Sequence, residues 1–219
     1  MRRRHTLMAL LIVGMLASGC TMQWSGSASD NFSYKNIPVA TGSAAPGSGN
    51  SVTMKGKPLS LEGRPIKVGD TLRDAEVATK DLSLLNLQDT KGKVRLISIV
   101  PSLDTPVCEQ QTHYLSEKNA GLDREVELIT ISVDTPFAQS RFAKEAKINN
   151  VIFLSDYRGG DFGKTYGLLV KEPHILARTV MVVDQDNVIR YLQVTPELAQ
   201  LPDMDAAFKA ARTLAKGQG

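Results

Sequence analysis

The chain has few of the residues that most often carry redox, metal or stacking chemistry. Its 219 residues include two cysteines, three histidines and one tryptophan. The cysteines, Cys20 and Cys108, are far apart, and neither has a second cysteine three residues away. A C-x-x-C dithiol motif is therefore excluded. The three histidines show no spacing typical of metal ligands, which argues against a metal site.

A charge excess is also missing from the part of the chain that we expect to be mature. The formal net charge is +3, from 26 Lys and Arg against 23 Asp and Glu. Three of the basic residues, Arg2, Arg3 and Arg4, lie in an amino-terminal segment that we expect to be removed, and 26 minus 3 leaves 23. A near-neutral chain lacks the basic surface typical of nucleic-acid binding, so we expect no nucleic-acid partner.

The chain begins with an apolar run that is shorter than a membrane span. Residues 6–16 are almost all apolar, they follow the arginines, and small residues lead to Cys20. A spanning helix needs roughly 20 apolar residues, and this layout is instead typical of an export signal. The ending "LASGC" resembles the lipobox of bacterial lipoproteins. That resemblance implies a signal peptide over residues 1–19, a lipid on Cys20, and a lipid-anchored location in the bacterial envelope, at the outer membrane facing the periplasm in a Gram-negative host. A plain secretory signal and an uncleaved anchor are the alternatives.

Composition divides the rest of the chain into a linker and one domain. Residues 20–50 are rich in Ser, Gly and Ala, as in "ATGSAAPGSGNS", which is typical of a flexible tether. Residues 51–219 are long enough for a single compact core.

The domain alternates short apolar runs with helical patterns. Polar and apolar residues alternate around residues 55–58, which predicts an amino-terminal β-hairpin. "VRLISIV", "VELITISV" and "NVIFLSD" predict buried strands, and "TVMVVD" with "VIRYLQV" predicts a second hairpin. Helices are expected from Pro106, from Pro136 and over residues 203–216. The pattern predicts an α/β fold with a central mixed sheet flanked by helices.

Cys108 lies where a strand gives way to a helix. Thr105 can serve as N-cap and Pro106 as the first helical residue, so the helix dipole and free N–H groups favour a thiolate at Cys108. The same Asp-Thr-Pro opening recurs at Asp134 without a cysteine, so the cap alone does not indicate function. Cys108 as a small buried side chain is the alternative. A Cys–His hydrolase stays open, although His113 lies about 140° around the helix.

Pro101, Thr105 and Cys108 spell P-x-x-x-T-x-x-C, which resembles the active-site signature of peroxiredoxins. "VDTPFAQSRF" and "LARTVMVVDQDNVI" resemble segments of the thiol peroxidase subfamily, the atypical two-cysteine type. The resemblance extends over almost the whole domain. It implies a thioredoxin-like fold, a peroxide substrate, an external thiol or thioredoxin-like reductant, no metal or organic cofactor, and a homodimer.

The resemblance also implies roles for the residues of the motif. Cys108 would be the peroxidatic nucleophile that becomes a sulfenic acid, and Thr105 would hydrogen-bond the thiolate and the incoming oxygen. Arg178 would stabilise the thiolate and the charge on the leaving oxygen, and Pro101 would shield the sulfur from water. Read without the resemblance, Arg178 could be a surface charge, Thr105 only a cap and Pro101 only a strand terminator.

One position departs from the subfamily. Where the subfamily has S-R-F-C with a resolving cysteine, this chain has Ala143 after Phe142. The resemblance then implies a one-cysteine mechanism with an external reductant. Two rivals share the same residues: a non-enzymatic envelope lipoprotein that keeps the fold, and a redox sensor or disulfide exchanger that forms mixed disulfides through Cys108.

Overall fold

The computed structural model describes residues 32–217, which contain eleven β-strands and four α-helices. The bounds of the strands and helices are as follows: β1 Ser51–Met54, β2 Lys57–Glu62, β3 Glu76–Ala78, β4 Leu84–Asn86, β5 Val94–Ile99, α1 Pro106–Glu117, β6 Val126–Ser132, α2 Pro136–Glu145, β7 Ile152–Ser155, α3 Asp161–Tyr166, β8 Leu169–Val170, β9 Ile175–Leu176, β10 Thr179–Val183, β11 Ile189–Val194 and α4 Met204–Lys216.

Seven strands form a central mixed sheet in the order β11-β10-β5-β6-β7-β3-β4. Strands β5, β6 and β7 are parallel, and the remaining neighbours in this sheet are antiparallel. A second sheet has the order β1-β2-β8-β9, with β1 and β2 as the expected amino-terminal hairpin. The predicted α/β class with a mixed sheet is confirmed.

The central strands are apolar on both faces because both faces are covered. In β5, Leu96 packs in one core cluster, with residues of α1 and α4, and Ile97 packs in the other, with residues of α3 and β8. Successive side chains of a strand point to opposite faces, so a run such as "VRLISIV" supplies both layers at once. This two-sided burial explains why these strands could be recognised from the sequence.

The predicted helices start where their Thr-Pro pairs place them. Thr105 and Thr135 are extended N-cap residues, followed by proline at the first helical position of α1 and α2. Proline fits there because the first helical N–H has no partner within the helix. Asp203 caps α4 by accepting a hydrogen bond from the Ala206 N–H at 2.9 Å.

The expected tether ends earlier than predicted, because residues 33–50 lie along the folded domain. We call this segment the N-terminal strap. The Ala40 N–H donates to the carbonyl of Leu201 at 2.8 Å, and the Ala44 N–H donates to that of Val194 at 2.8 Å. The compact unit begins at Ser33 rather than at residue 51. Small side chains suit a linker, but they also let a backbone approach another backbone closely enough to pair.

The expected signal peptide and Cys20 lie outside the described residues. Within residues 32–217, no helix is both long enough and apolar enough to cross a membrane.

Asp156 gives the fold a testable pH dependence. Its carboxylate, at the end of β7, accepts hydrogen bonds from the N–H groups of Phe162 and Gly163 at 3.0 and 2.9 Å. Burial nevertheless raises the pKa of Asp156 to about 6. Protonation therefore favours the folded state, and this contribution should be lost as the pH rises from about 4, the usual pKa of Asp, to about 6, by on the order of 3 kcal/mol.

Urea unfolding of the wild type and of Asp156→Asn should be measured across this range. The free energy of unfolding of the wild type, relative to the variant, should fall between pH 4 and pH 7. Asp81→Asn, at an exposed carboxylate that is not among the causes of the Asp156 shift, is the control that should follow the wild type. A constant difference between wild type and Asp156→Asn would contradict the assignment.

Candidate active site

The site lies at the edge of the sheet where the parallel strands end. Strands β5, β6 and β7 run in the same direction, so the segments that follow them meet at one edge. Strand β10 is antiparallel to β5, and its register pairs Thr179 with Ile99. Arg178, one residue before β10, is thereby brought to the carboxyl end of β5, although it lies 70 residues from Cys108 in sequence.

Cys108 is fully buried in the first turn of α1. Its side chain packs with Val100 and Leu103, and the partly buried rings of Phe142 and Phe153 cover the same cluster. The thiol forms no disulfide. It is the one thiol among residues 32–217, and therefore the sulfur in this range that can act as a nucleophile. An apolar shell of this kind keeps bulk water away from the sulfur.

Arg178 faces that sulfur. Its Nη2 donates to Cys108 Sγ at 3.4 Å, its Nη1 to Gln111 Oε1 at 2.8 Å, and its Nε to the Leu198 carbonyl at 2.8 Å. The side chain is buried, and no carboxylate in the described part of the chain forms an ion pair with it. A buried guanidinium without a negative partner is costly. Of its three hydrogen-bond partners, Cys108 Sγ is the one that can carry a negative charge.

Gln111 is a site residue that the sequence reasoning missed. It is buried one turn after Cys108, where its Oε1 accepts from Arg178 and its Nε2 donates to Ser98 Oγ at 2.8 Å. Both ends of the amide are thus engaged, which fixes the guanidinium opposite the sulfur. The available signal was its spacing of three from Cys108, which places both on one face of the helix.

The loop between β5 and α1 is held by an acidic residue from the next strand end. Asp134 Oδ1 accepts from Ser102 Oγ at 2.7 Å, and its Oδ2 accepts from the Leu103 N–H at 2.7 Å. Pro101 is buried at the start of this loop. Asp134 was noted in the sequence only as a helix-cap repeat, and its position after β6 was the signal for a place at this edge.

Thr105 is in place as a cap but does not contact the sulfur through its hydroxyl. It is exposed, and its Oγ1 donates to the Ser102 carbonyl at 3.1 Å. It makes no side-chain cap bond, in contrast to Thr135, whose Oγ1 accepts from the Ala138 N–H. In the structure as described, Thr105 shapes the turn that precedes Cys108.

Ala143 lies half-buried on α2, next to Phe142 of the cysteine cluster. Its side chain lines a largely apolar groove of about 510 Å³, together with residues of β7 and the β3–β4 hairpin. Phe153 lines the groove and also packs on the Cys108 cluster. Phe137, in the first turn of α2, is 69% exposed, whereas Phe162 is buried.

Neither histidine in the part of the chain that the structure describes hydrogen-bonds Cys108. His113 is buried, its Nδ1 hydrogen-bonds Glu117 Oε1 at 2.7 Å, and its ring packs edge to face on Phe142. Phe142 of α2 covers the ring, which accounts for the burial of His113. His174 lies in the exposed turn between β8 and β9. The Cys–His hydrolase alternative gains no support from these positions.

This fold has counterparts among known proteins. The Redoxin family profile matches residues 67–208. Among solved structures, a peroxiredoxin-like protein from Aquifex aeolicus shares 39% sequence identity with a TM-score of 0.71, over 79% of this chain and 99% of that one. The chain belongs to the Redoxin family, and the thioredoxin-like fold expected from the sequence is confirmed.

Curated relatives indicate to which group within this family the chain belongs. Thiol peroxidases from Halalkalibacterium halodurans and Streptococcus pneumoniae are each 44% identical to this chain, over 74% of it and over 97% and 99% of their own length. A solved thiol peroxidase from Chromobacterium violaceum is 25% identical, with a TM-score of 0.66, over 77% of this chain. Within the Redoxin family, the chain is a member of the thiol peroxidases.

The geometry predicts a specific loss on replacing Arg178. Arg178→Lys keeps a positive charge, but the lysine lacks the forked guanidinium. A single ammonium cannot donate to Cys108, Gln111 and the Leu198 carbonyl together. The rate of Cys108 oxidation by hydrogen peroxide should fall about 10²-fold, as when one preorganised donor is removed from an active site. Stopped-flow measurement with Arg190→Lys, an exposed arginine on β11, gives the matched control. Equal rates for the two variants would show that Arg178 is structural.

Proposed function

We propose that this protein reduces peroxides through a sulfenic acid at Cys108, and that the buried pairing of Cys108 Sγ with Arg178 Nη2 carries this function. The chain is a thiol-dependent peroxidase by family, with a peroxide as oxidant and a thiol as reductant. The proposal assigns the chemistry to particular atoms of this chain.

The first half-reaction is a displacement on oxygen. The Cys108 thiolate attacks one peroxide oxygen, an S–O bond forms, and the O–O bond breaks. The leaving oxygen takes the electron pair and a proton and departs as water or an alcohol. The guanidinium of Arg178 lies where it can stabilise charge on both the sulfur and that oxygen. Gln111 and the Leu198 carbonyl position the guanidinium, and Asp134 positions the loop that contains Pro101.

The second half-reaction needs a thiol from outside the chain. Cys108 is the only cysteine between residues 51 and 219, and Ala143 occupies the position of the resolving cysteine in the resemblance. An external thiol condenses with the sulfenic acid to give a mixed disulfide and water. A second thiol then releases Cys108 and leaves as the external disulfide. This is a one-cysteine mechanism.

Two features favour an enzyme over the rival functions. Pro101, Cys108, Gln111 and Arg178 are all buried at one edge of the sheet, and the Arg178 guanidinium donates directly to Cys108 Sγ. The full burial of Cys108 also favours a small oxidant over exchange with a disulfide of another folded protein.

The location of the protein is a separate proposal that rests on the amino-terminal sequence. We propose that residues 1–19 are a lipoprotein signal, that Cys20 is lipidated, and that the enzyme works in the cell envelope on hydrogen peroxide and on organic or lipid hydroperoxides. A homodimer is proposed from the subfamily resemblance, and sedimentation velocity would test it.

Trapping of the sulfenic acid tests the proposed function. Protein from residue 21 onward should receive one equivalent of peroxide in the presence of a sulfenic-acid trap, followed by peptide mass mapping. Rapid labelling of Cys108, absent in Cys108→Ser, is expected. Labelling as slow as that of a free thiol in solution would favour a retired scaffold.

Ala143→Cys provides a matched variant for the missing resolving thiol. If residue 143 holds the resolving position, this variant should lose two hydrogens from its intact mass after peroxide and should escape the trap. The wild type should keep a trappable sulfenic acid. Formation of no disulfide in Ala143→Cys would contradict the assignment of that position.

Fractionation tests the location. The full-length chain should be recovered in the membrane fraction with a lipid-modified amino terminus. Cys20→Ser should abolish both the modification and the membrane association, since the lipid can attach only to that sulfur. Recovery of the unmodified wild type in the cytoplasm would contradict the proposal.

A further inference from the structure

The N-terminal strap is attached to the helix that contains Cys108. The Lys35 N–H donates to Gln110 Oε1 at 2.7 Å, and Gln110 Nε2 donates back to the Lys35 carbonyl at 2.9 Å. Gln110 is only 4% exposed, so the backbone of one strap residue satisfies both ends of a buried amide. This side chain lies two residues after Cys108, in the same part of α1.

Tyr34 extends the attachment along the helix. Its hydroxyl donates to Glu117 Oε2 at 2.9 Å, and its ring packs edge to face on Tyr114 with centroids 6.1 Å apart. Lys118 Nζ lies 4.9 Å from the centre of the Tyr34 ring. The strap therefore contacts α1 near its first turn, in its last turn and at its carboxyl end.

The closed helix keeps the Cys108 sulfur out of contact with solvent. A cavity of about 50 Å³ lies against Leu103 and Phe142, two residues of the Cys108 cluster, but Cys108 itself does not line it. The sulfur is fully buried, so a thiol reaches it only when the first turn of α1 opens.

We propose that the strap determines which thiols reduce Cys108, by holding α1 closed through Lys35 and Tyr34. This inference rests on the proposed function, because the step concerned is the attack of a thiol on the Cys108 sulfenic acid, which forms a mixed disulfide and releases water. A small thiol needs only a slight opening of the turn. A thiol borne by a folded protein needs the whole turn to unwind, so the strap favours low-molecular-weight thiols.

The chain is longer than the S. pneumoniae thiol peroxidase that it matches. The match to the S. pneumoniae thiol peroxidase spans 99% of that protein but only 163 residues of this chain. The chain also lacks the resolving cysteine for which an opened α1 would be useful. A closed helix then has no internal disulfide to obstruct, and it protects the sulfenic acid from bulky partners.

The test compares Lys35→Pro with Lys35→Ala in protein from residue 21 onward. Proline removes the N–H that bonds Gln110, whereas alanine keeps it, so the pair isolates a single backbone donor. Reduced Cys108 should be titrated with a bulky maleimide and with iodoacetamide. Lys35→Pro should raise the maleimide rate about tenfold, because a buried polar group without its partner shifts an opening equilibrium by that order. The iodoacetamide rate should rise less, and Lys35→Ala should match the wild type.

The reduction step is then measured directly. The sulfenic acid of each variant should be reduced with glutathione and, separately, with thioredoxin. The thioredoxin rate should rise relative to the glutathione rate in Lys35→Pro only. Equal maleimide rates in Lys35→Pro and Lys35→Ala, or an unchanged ratio of the two reductants, would overturn the proposal.

Two further measurements keep the outcomes separate. If Lys35→Pro does not fold, Tyr34→Ala replaces it. In Tyr34→Ala, amide hydrogen exchange in the peptide covering residues 106–117 must become faster than in the wild type, while exchange in β10 and β11 must not change. Uniformly faster exchange would overturn a local clamp. The alkylation rates are measured without peroxide. A failure of Cys108 to form a sulfenic acid would therefore refute the proposed function, while the effect of the strap on α1 could still be measured.

Discussion

The burial of the Arg178 guanidinium without a carboxylate is the constraint on which the site depends. A charge removed from water must be compensated nearby, and the effective cost otherwise is several kcal/mol. The helix dipole at the first turn of α1 is worth about 0.3–1 kcal/mol at most sites, whereas the guanidinium contacts the sulfur directly at 3.4 Å. The β5–β10 register, Gln111 and the Leu198 carbonyl all place the guanidinium opposite Cys108.

The two halves of the chemistry make different demands on the same helix. Attack on a peroxide needs a closed, dry site in which the sulfur and Arg178 are already aligned. Reduction of the sulfenic acid needs a second sulfur to reach the first. In a chain with a resolving cysteine, motion of the protein brings the two together. Here no cysteine lines the apolar groove beside Ala143, so under the proposed one-cysteine mechanism the second sulfur must come from solvent.

Much of the fold was readable because burial imposes regular patterns. The strands β5, β6 and β10 are apolar throughout since both of their faces are covered, and the Thr-Pro pairs place the starts of α1 and α2. The short α3 and the two-residue strands β8 and β9 were missed because they are too short to establish a period. Their positions depend on tertiary contacts, such as the hydrogen bonds that the Phe162 and Gly163 N–H groups donate to the Asp156 carboxylate.

The sequence pointed to Cys108 and Arg178, which the structure brings into contact. It did not point to the residues that hold these two side chains in place. Cys108 and Arg178 were found through motifs, whereas Gln111 and Asp134 act through distances that only the folded chain defines. The direction of the Thr105 hydroxyl is likewise a matter of local geometry. The N-terminal strap was misjudged because Gly, Ser and Ala suit both a solvated linker and a backbone that pairs with a neighbour.

The partners of the strap have a consequence for the order in which the molecule assembles. The strap precedes the rest of the domain in the chain, yet it hydrogen-bonds Gly167, Val194 and Leu201, which are synthesised near the end. Contacts of such large sequence separation form late, because a long loop must close first. The helix that contains Cys108 is thus formed before it is fastened. A newly synthesised chain would pass through a period in which its thiol is open to the oxidants and thiols around it.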